Sequence, residues 1–335
     1  MRRKTISWLT GVVGILLFGA YGVFWWVAAG RIEEEAASQA RAAHEKLVDV
    51  SWQTIRVAGF PFSFRLELGD AVITDKAANP PVELRASKLT ASILPWNFRT
   101  VWFAAPDGLS TLYGPDTAPL AKLDAAAGEG ALTAADDGGL TVWATLYRPK
   151  AEAGQAISAR RATLWLIVPA PAAHAGPAFA ALLEDVAPPV LPPTFGKTIE
   201  TVGLGVTLTG AWPPGPPRQA AAAWRDAGGS LQLDHFQLRW GALGVTASGS
   251  LSLDADLQPQ GTLTGGLAGA DQLMSALVAA GRIKASDARI AGMALMMLGR
   301  AGPDGRPEIP ATLTVQNGEM ILGPVRLGKA PRIEW

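Results

Sequence analysis

Three spacings of hydrophobic residues follow one another along this 335-residue chain, and each predicts a different element. Residues 6–29 run 24 positions without a charge. At about 1.5 Å per residue, a helix of that length exceeds the roughly 30 Å hydrocarbon core of a bilayer. From 31 to 48 the apolar residues Ile32, Ala36, Ala40, Ala43 and Leu47 recur at intervals of three and four, with charges elsewhere. That is one face of an amphipathic helix, read as the membrane helix continuing outward as a stalk, either solvated or packed on the domain. After Val48 the period falls to two. Phe60, Phe62, Phe64, Leu66 and Leu68 alternate with Ser63, Arg65 and Glu67, which predicts a strand buried on one side, with a turn at Gly59 before it.

The same alternation returns at Leu140, Val142, Ala144 and Leu146, at Ala162, Leu164, Leu166 and Val168, and at Val202, Leu204, Val206 and Leu208. These read as strands of a largely antiparallel sheet. Residues 230–267 hold the densest β signal. There the apolar parity switches across Asp234 and His235, which predicts a bulge or tight bend. Asn317-Gly318 joins two apolar runs as a hairpin. Two late helices are expected, one capped by Asp271 and ending near Gly281, one starting at Ser286-Asp287 and running to about Leu298. A Pro/Ala-rich connection over 171–196 is expected to carry a short helix at about 177–186, and a second Pro-rich loop, 212–217, leads into 220–227.

The one-sided strands pose the main question. Phe62, Phe64, Leu66, Leu204 and Val206 are the candidate ligand-binding residues, because a face carrying them must be covered by something and the expected helices are few and short. Either two sheets cover one another as a sandwich, or one curved sheet encloses an apolar trough that accepts lipid.

Charge fixes an orientation for the first segment. Arg2, Arg3 and Lys4 precede it and Glu33, Glu34 and Glu35 follow, so the N-terminus is expected in the cytoplasm and the bulk in the periplasm. Trp8, Trp25 and Trp26 sit where interfacial aromatics belong. A signal peptide cleaved after Val27-Ala28-Ala29 is the competing reading, but the apolar run is longer than a signal core of about 7 to 15 residues. Elsewhere 29 basic residues balance 29 acidic ones, which leaves no basic field for nucleic acid. The chain has no cysteine and three histidines, so thiol chemistry and Cys-based metal sites are excluded.

No serine has glycine both two residues before and two residues after it, as a nucleophile elbow requires. Gly203 and Gly205 begin a GxG inside an alternating strand, where a dinucleotide turn does not fit. His44 lacks a second histidine on its helix face, and His174 and His235 have no evident partner. Asp254 and Asp256 offer hard oxygens to Mg²⁺, although their place before Gln258-Pro259 suits a turn. Met274, Met293, Met296 and Met297 form a soft surface suited to core packing or to irregular apolar ligands. No cofactor, metal or catalytic residue is assigned.

The N-terminal anchor, Gly59-Phe60-Pro61-Phe62 followed by Phe64, Leu94-Pro95-Trp96-Asn97 and the hairpin segment 318–324 together resemble a family of bacterial envelope proteins, domain of unknown function 2125. More distantly, an anchor followed by long meanders looks like AsmA-type envelope proteins, whose β grooves are associated with phospholipid movement. The resemblance implies an architecture and no catalytic residues.

The expected chain is therefore mainly β. It has a transmembrane anchor (1–30), a helical stalk (31–49), a first β-rich half (50–170), the connection (171–196) and a second β-rich half with two helices (197–335). Its expected role is non-enzymatic: binding membrane phospholipid or an acyl chain in envelope maintenance at the inner membrane. Two other roles are open, a scaffold recruiting another envelope protein and a hydrolase using Asp and Ser residues, which would show as a polar cleft with convergent carboxylates.

Overall fold

The computed structural model describes residues 2–45, 47–115, 117–170, 173, 175–187, 195–279, 300–301, 307–322 and 325–333, with the side chains of the first helix described from Ala20 onward. Two compact units divide the chain: Met1–Thr133 with Ala151–Gly154, and Ala134–Lys150 with Gln155–Trp335.

In the first unit, α1 (Arg2–Glu45) is one unbroken helix, so the uncharged stretch and the amphipathic stretch join directly. The chain then turns back along it. β1 (Val48–Ser51) and β2 (Thr54–Ala58) lie end to end beside β3 (Phe64–Asp75), followed by β4 (Val82–Leu94). β5 (Asn97–Ala105) and β6 (Leu109–Tyr113) share the next edge, and β7 (Ala121–Ala125) and β8 (Ala127–Ala134) pair with β6 and β5. Every one of these pairings is antiparallel.

Contacts at three levels fasten α1 to this meander. Near its end His44 Nδ1 meets Asp49 at 2.5 Å, and Lys76 also binds that carboxylate; Lys76 first, then His44, holds Asp49 below its ordinary pKa. Midway, the Val57 N–H donates to Glu33 at 3.0 Å. Lowest, the Tyr21 hydroxyl donates to the Pro61 carbonyl at 2.5 Å and the Trp25 indole N–H to the Ser63 carbonyl at 3.1 Å. The Trp25 ring also stacks on Phe64, with centroids 5.5 Å apart and planes 9° apart. The stalk therefore packs on the domain.

These contacts correct the expected strand at Phe60. Residues 59–63 are a turn, in which the N–H groups of Phe62 and Ser63 both donate to the Gly59 carbonyl. Gly59 has φ 102°, and a Cβ there would lie 2.4 Å from Ser63 Oγ. The strand starts at Phe64, so Phe62 is 69% exposed while Phe64 is 4% exposed beneath Trp25. Glu67, expected to be open to solvent, is instead enclosed between Arg56 and Lys88. The Arg56 hydrogen bond, at 2.8 Å, is the main cause of its lowered pKa.

The second unit runs β9 (Leu140–Tyr147) and, after the short β10 (Lys150–Ala153), which pairs with β7 and lies mostly in the first unit, β11 (Gln155–Ser158), β12 (Arg161–Val168), β13 (Ala178–Val186) and β14 (Ile199–Thr209). After α2 (Pro217–Asp226) come β15 (Ser230–Trp240), β16 (Leu243–Leu253) and β17 (Pro259–Ala268). Then follow α3 (Ala270–Ala279), β18 (Arg300–Ala301), β19 (Pro307–Gln316), β20 (Glu319–Leu322) and β21 (Val325–Lys329). The ladder order is β9, β12, β13, β14, β15, β16, β17, β19, β20, β21, antiparallel throughout.

The helix expected over 177–186 is β13. Its Ala- and Leu-rich sequence favours a helix, but hydrogen bonding to a strand on each side outweighs that weak preference. Conversely, the pattern reading missed α2 as a helix. Pro217 opens its first turn, and buried Trp224 donates to the Thr209 carbonyl at 3.0 Å. In α3, Asp271 lies in the first turn instead of capping it; the expected helix from Ser286 falls outside the described residues. The expected bulge is present, with the β15–β16 register shifting between Leu233 and Phe236, and so is the Asn317-Gly318 hairpin.

The described residues are thus mainly antiparallel β, with one long N-terminal helix and two short ones. Within each unit the strands follow one continuous run of pairings, and no large hydrophobic side chain among the described residues is completely buried. Among the described residues no helix is long and apolar enough to cross a membrane; the side chains of residues 6–19, most of the uncharged stretch, are not among them.

Removing the Phe64 ring should destabilise the first unit by about 3–5 kcal/mol, because a buried aromatic leaves both a cavity and an unstacked Trp25. Phe62→Ala and Arg65→Ala should each cost less than about 1 kcal/mol, since both side chains are exposed. Denaturant unfolding of the three variants checks this; comparable losses at Phe62 and Phe64 would contradict the turn geometry.

Candidate functional site: a one-sided apolar sheet

Residues directly opposite in an antiparallel ladder share a face, so register decides what a sheet presents. In the second unit the register lines apolar residues into rows across eight strands. One row runs Val142, Leu166, Phe179, Val206, Leu233, Gly249, Leu263 and Leu313. The next runs Ala144, Leu164, Ala181, Leu204, Phe236, Ala247, Gly265 and Ala311, and a third runs from Leu146 through Leu183, Val202, Leu238, Val245 and Leu267 to Ile309. No charged or hydrogen-bonding side chain interrupts them. With strands about 4.8 Å apart, each row is about 34 Å long.

The bulge preserves this face. Without the shift around Asp234 and His235, Leu231 and Leu233 would fall on the side opposite Phe236 and Leu238. The rows are also incompletely covered. Leu233 is buried, but Leu166 is 38% and Phe179 37% exposed, and Val206, Leu204 and Leu263 are half-buried.

From β14 to β19 the other face is polar and its glycines have a packing role, whereas in β9, β12 and β13 that face also carries Trp143, Trp165, Ile167 and Leu182. Gly203 and Gly205 lie opposite Gln237 and His235, whose side chains fold over them; a Cβ on Gly205 would sit 2.4 Å from the imidazole. Thr207 donates to Asp234 at 2.7 Å, and Thr246 donates to Glu308 at 2.8 Å where Glu308 lies over Gly266. Asp254 accepts the N–H groups of Asp256 and Gln258, which is a turn. Among the described residues no three His, Asp or Glu side chains are grouped to hold a metal. His174, Met293, Met296 and Met297 fall outside the described residues, and Met274 is half-buried in α3.

The five candidate residues separate accordingly. Leu204 and Val206 stand in adjacent rows at the middle of the face. Leu66 belongs to a shorter apolar strip in the first unit, with Val57, Ala91 and Phe103. Phe64 is occupied by Trp25 and Phe62 is in the turn, so neither lines a face. Phe179 was hidden by the helix assigned to its segment, although Phe179, Ala181 and Leu183 do alternate. Phe236 and Leu238 became site residues only once the bulge set them beside Leu204 and Val202.

The model of a family described as an uncharacterised protein conserved in bacteria, domain of unknown function 2125, matches residues 25–331. The chain belongs to that family. No curated protein and no solved structure matches it. The DUF2125 match begins at Trp25, the residue that stacks on Phe64, and spans both units.

Gly205→Ala should destabilise the chain by about 1–3 kcal/mol, because the new methyl displaces the His235 ring. Adding His235→Ala should recover most of that loss in a double-mutant cycle. Additive losses would show that His235 does not fill the space above Gly205.

Proposed function

We propose that this is an inner-membrane-anchored periplasmic protein that binds the acyl chains of phospholipid on the apolar face of its second unit, as a non-enzymatic factor in envelope maintenance. Three uninterrupted apolar rows that remain partly accessible are the observation carrying this reading. An apolar surface of that extent is uncommon on a free-standing protein and marks an interaction site. An acyl chain suits it chemically, since the rows offer dispersion contacts and no hydrogen-bonding group. Burying about 14 methylenes at about 0.8 kcal/mol each gives roughly 11 kcal/mol gross. Micromolar binding survives an immobilisation cost of a few kcal/mol.

The anchor supports the same reading by keeping the domain beside a phospholipid source. Residues 6–29 carry no charge, Arg2, Arg3 and Lys4 lie on one side and Glu33, Glu34 and Glu35 on the other, and the helix is continuous through them.

Native mass spectrometry of the full chain released from detergent tests the proposal. Wild type should carry phospholipid adducts. Leu204→Asp and Val206→Asp should lower them at least about tenfold, because a lone carboxylate in the rows resists desolvation. Ser248→Asp, on the polar face, should leave them unchanged. A folded wild type without adducts, or equal adducts in all variants, would contradict lipid binding and turn attention to a protein partner.

A further inference from the structure

Four exposed aromatic side chains cluster at one end of the first unit's sheet. The 59–63 turn joins β2 to β3, and the turn at 95–96 joins β4 to β5; because Phe64 pairs with Ile93, both turns emerge from the same sheet end. The turns carry Phe60, Phe62 and Trp96, and Phe98 lies beside them at the start of β5; the four are 44%, 69%, 67% and 64% exposed. Four large rings this exposed at one tip are expensive, and exposed Arg65 lies three residues after Phe62 and exposed Arg99 immediately after Phe98. Aromatic rings bordered by cations are the composition of a membrane interface.

The helix fixes the height of this tip. Tyr21 and Trp25 are hydrogen-bonded to the carbonyls of Pro61 and Ser63, and Phe60 packs 6.2 Å from Tyr21 and 5.5 Å from Trp25. If the uncharged stretch 6–29 is centred in the bilayer, Tyr21 lies about 5 Å and Trp25 about 11 Å beyond the midplane, at about 1.5 Å per residue. The hydrocarbon boundary lies at about 15 Å. Tyr21 and Trp25 are thus at acyl-chain depth, and so is the tip they hold.

We propose that this sheet end is a membrane-inserted wedge: Phe60, Phe62, Trp96 and Phe98 enter the periplasmic leaflet of the bilayer that α1 spans, with Arg65 and Arg99 at the phosphate level. The proposal rests on the anchor reading above and adds a second, independent contact with lipid. It brings Leu66 and Val57, the start of the first unit's apolar strip, to the edge of the leaflet.

The absence of native cysteine allows a direct depth measurement. The full chain is reconstituted into phosphatidylethanolamine–phosphatidylglycerol vesicles with an environment-sensitive fluorophore on a single introduced cysteine, and quenched by lipids carrying a nitroxide at a defined depth. Phe62→Cys and Phe98→Cys should be quenched several-fold by a nitroxide high on the acyl chain. Ala77→Cys, at the other end of β3 and about 40 Å along the strand, should not respond. Val12→Cys reports the anchor alone and should be quenched by a nitroxide deep in the chain. Quenching at 12 without quenching at 62 and 98 would overturn the wedge and spare the anchor, whereas no quenching at 12 would overturn the anchor and the wedge with it.

Discussion

The second unit depends on one constraint, the two-residue period of a strand held in register over eight neighbours. A single-residue slip anywhere would send every later apolar side chain to the opposite face. The chain keeps the register with a bulge at Asp234 and His235 that restores parity halfway across the sheet, and with glycines at 203, 205 and 266 that let His235, Gln237 and Glu308 lie flat on the polar side. The consequence is one continuous apolar face, opposed from β14 to β19 by a polar one. Stability and the proposed binding draw on the same surface, since the half-buried rows that support one another laterally are also the rows a ligand would cover.

The first unit solves a different problem, joining a long helix to a sheet. Its solution is a return path in which β1 and β2 descend beside α1, touching it through Asp49, Val57 and the 59–63 turn in succession. Trp25 closes the arrangement by stacking on the first residue of β3 and binding the carbonyl just before it. α1 and the sheet are therefore fastened together, and any constraint on the height of α1 is passed to the sheet end that carries the exposed aromatics. The proposed binding of lipid by a face and the proposed contact of a tip with a membrane are separate, yet both are argued from apolar residues that the fold leaves uncovered.

Much of this could be read along the chain, and the failures share a cause. Strict alternation at 140–146, 162–168 and 202–208 identified three strands, and the broken parity at Asp234 and His235 located the bulge, because both signals are local. Phe62 alternates with Phe64 just as well, but the turn that opens at Gly59 runs to Ser63 and starts the strand four residues later than the alternation suggests, and the stacking partner of Phe64 is 39 positions away. The segment at 178–186 reads as helix by composition and becomes strand only when its two neighbours are in place. Leu204 and Val206 were recognisable as site residues from their own strand, whereas Phe179 and Phe236 needed register with it. Local periodicity finds strands; which residues share a face is a long-range property.

The central claim is that lipid meets one face of the second unit's sheet and not the other. Photocrosslinking in intact cells tests it most directly, with a benzophenone amino acid placed singly at successive positions 201–208 of β14 in the full chain and the lipid adducts identified by mass spectrometry. The account predicts a two-residue period, with adducts at 202, 204, 206 and 208 and few at 201, 203, 205 and 207. Adducts at both parities, or at neither while protein partners are captured on the apolar side, would contradict it.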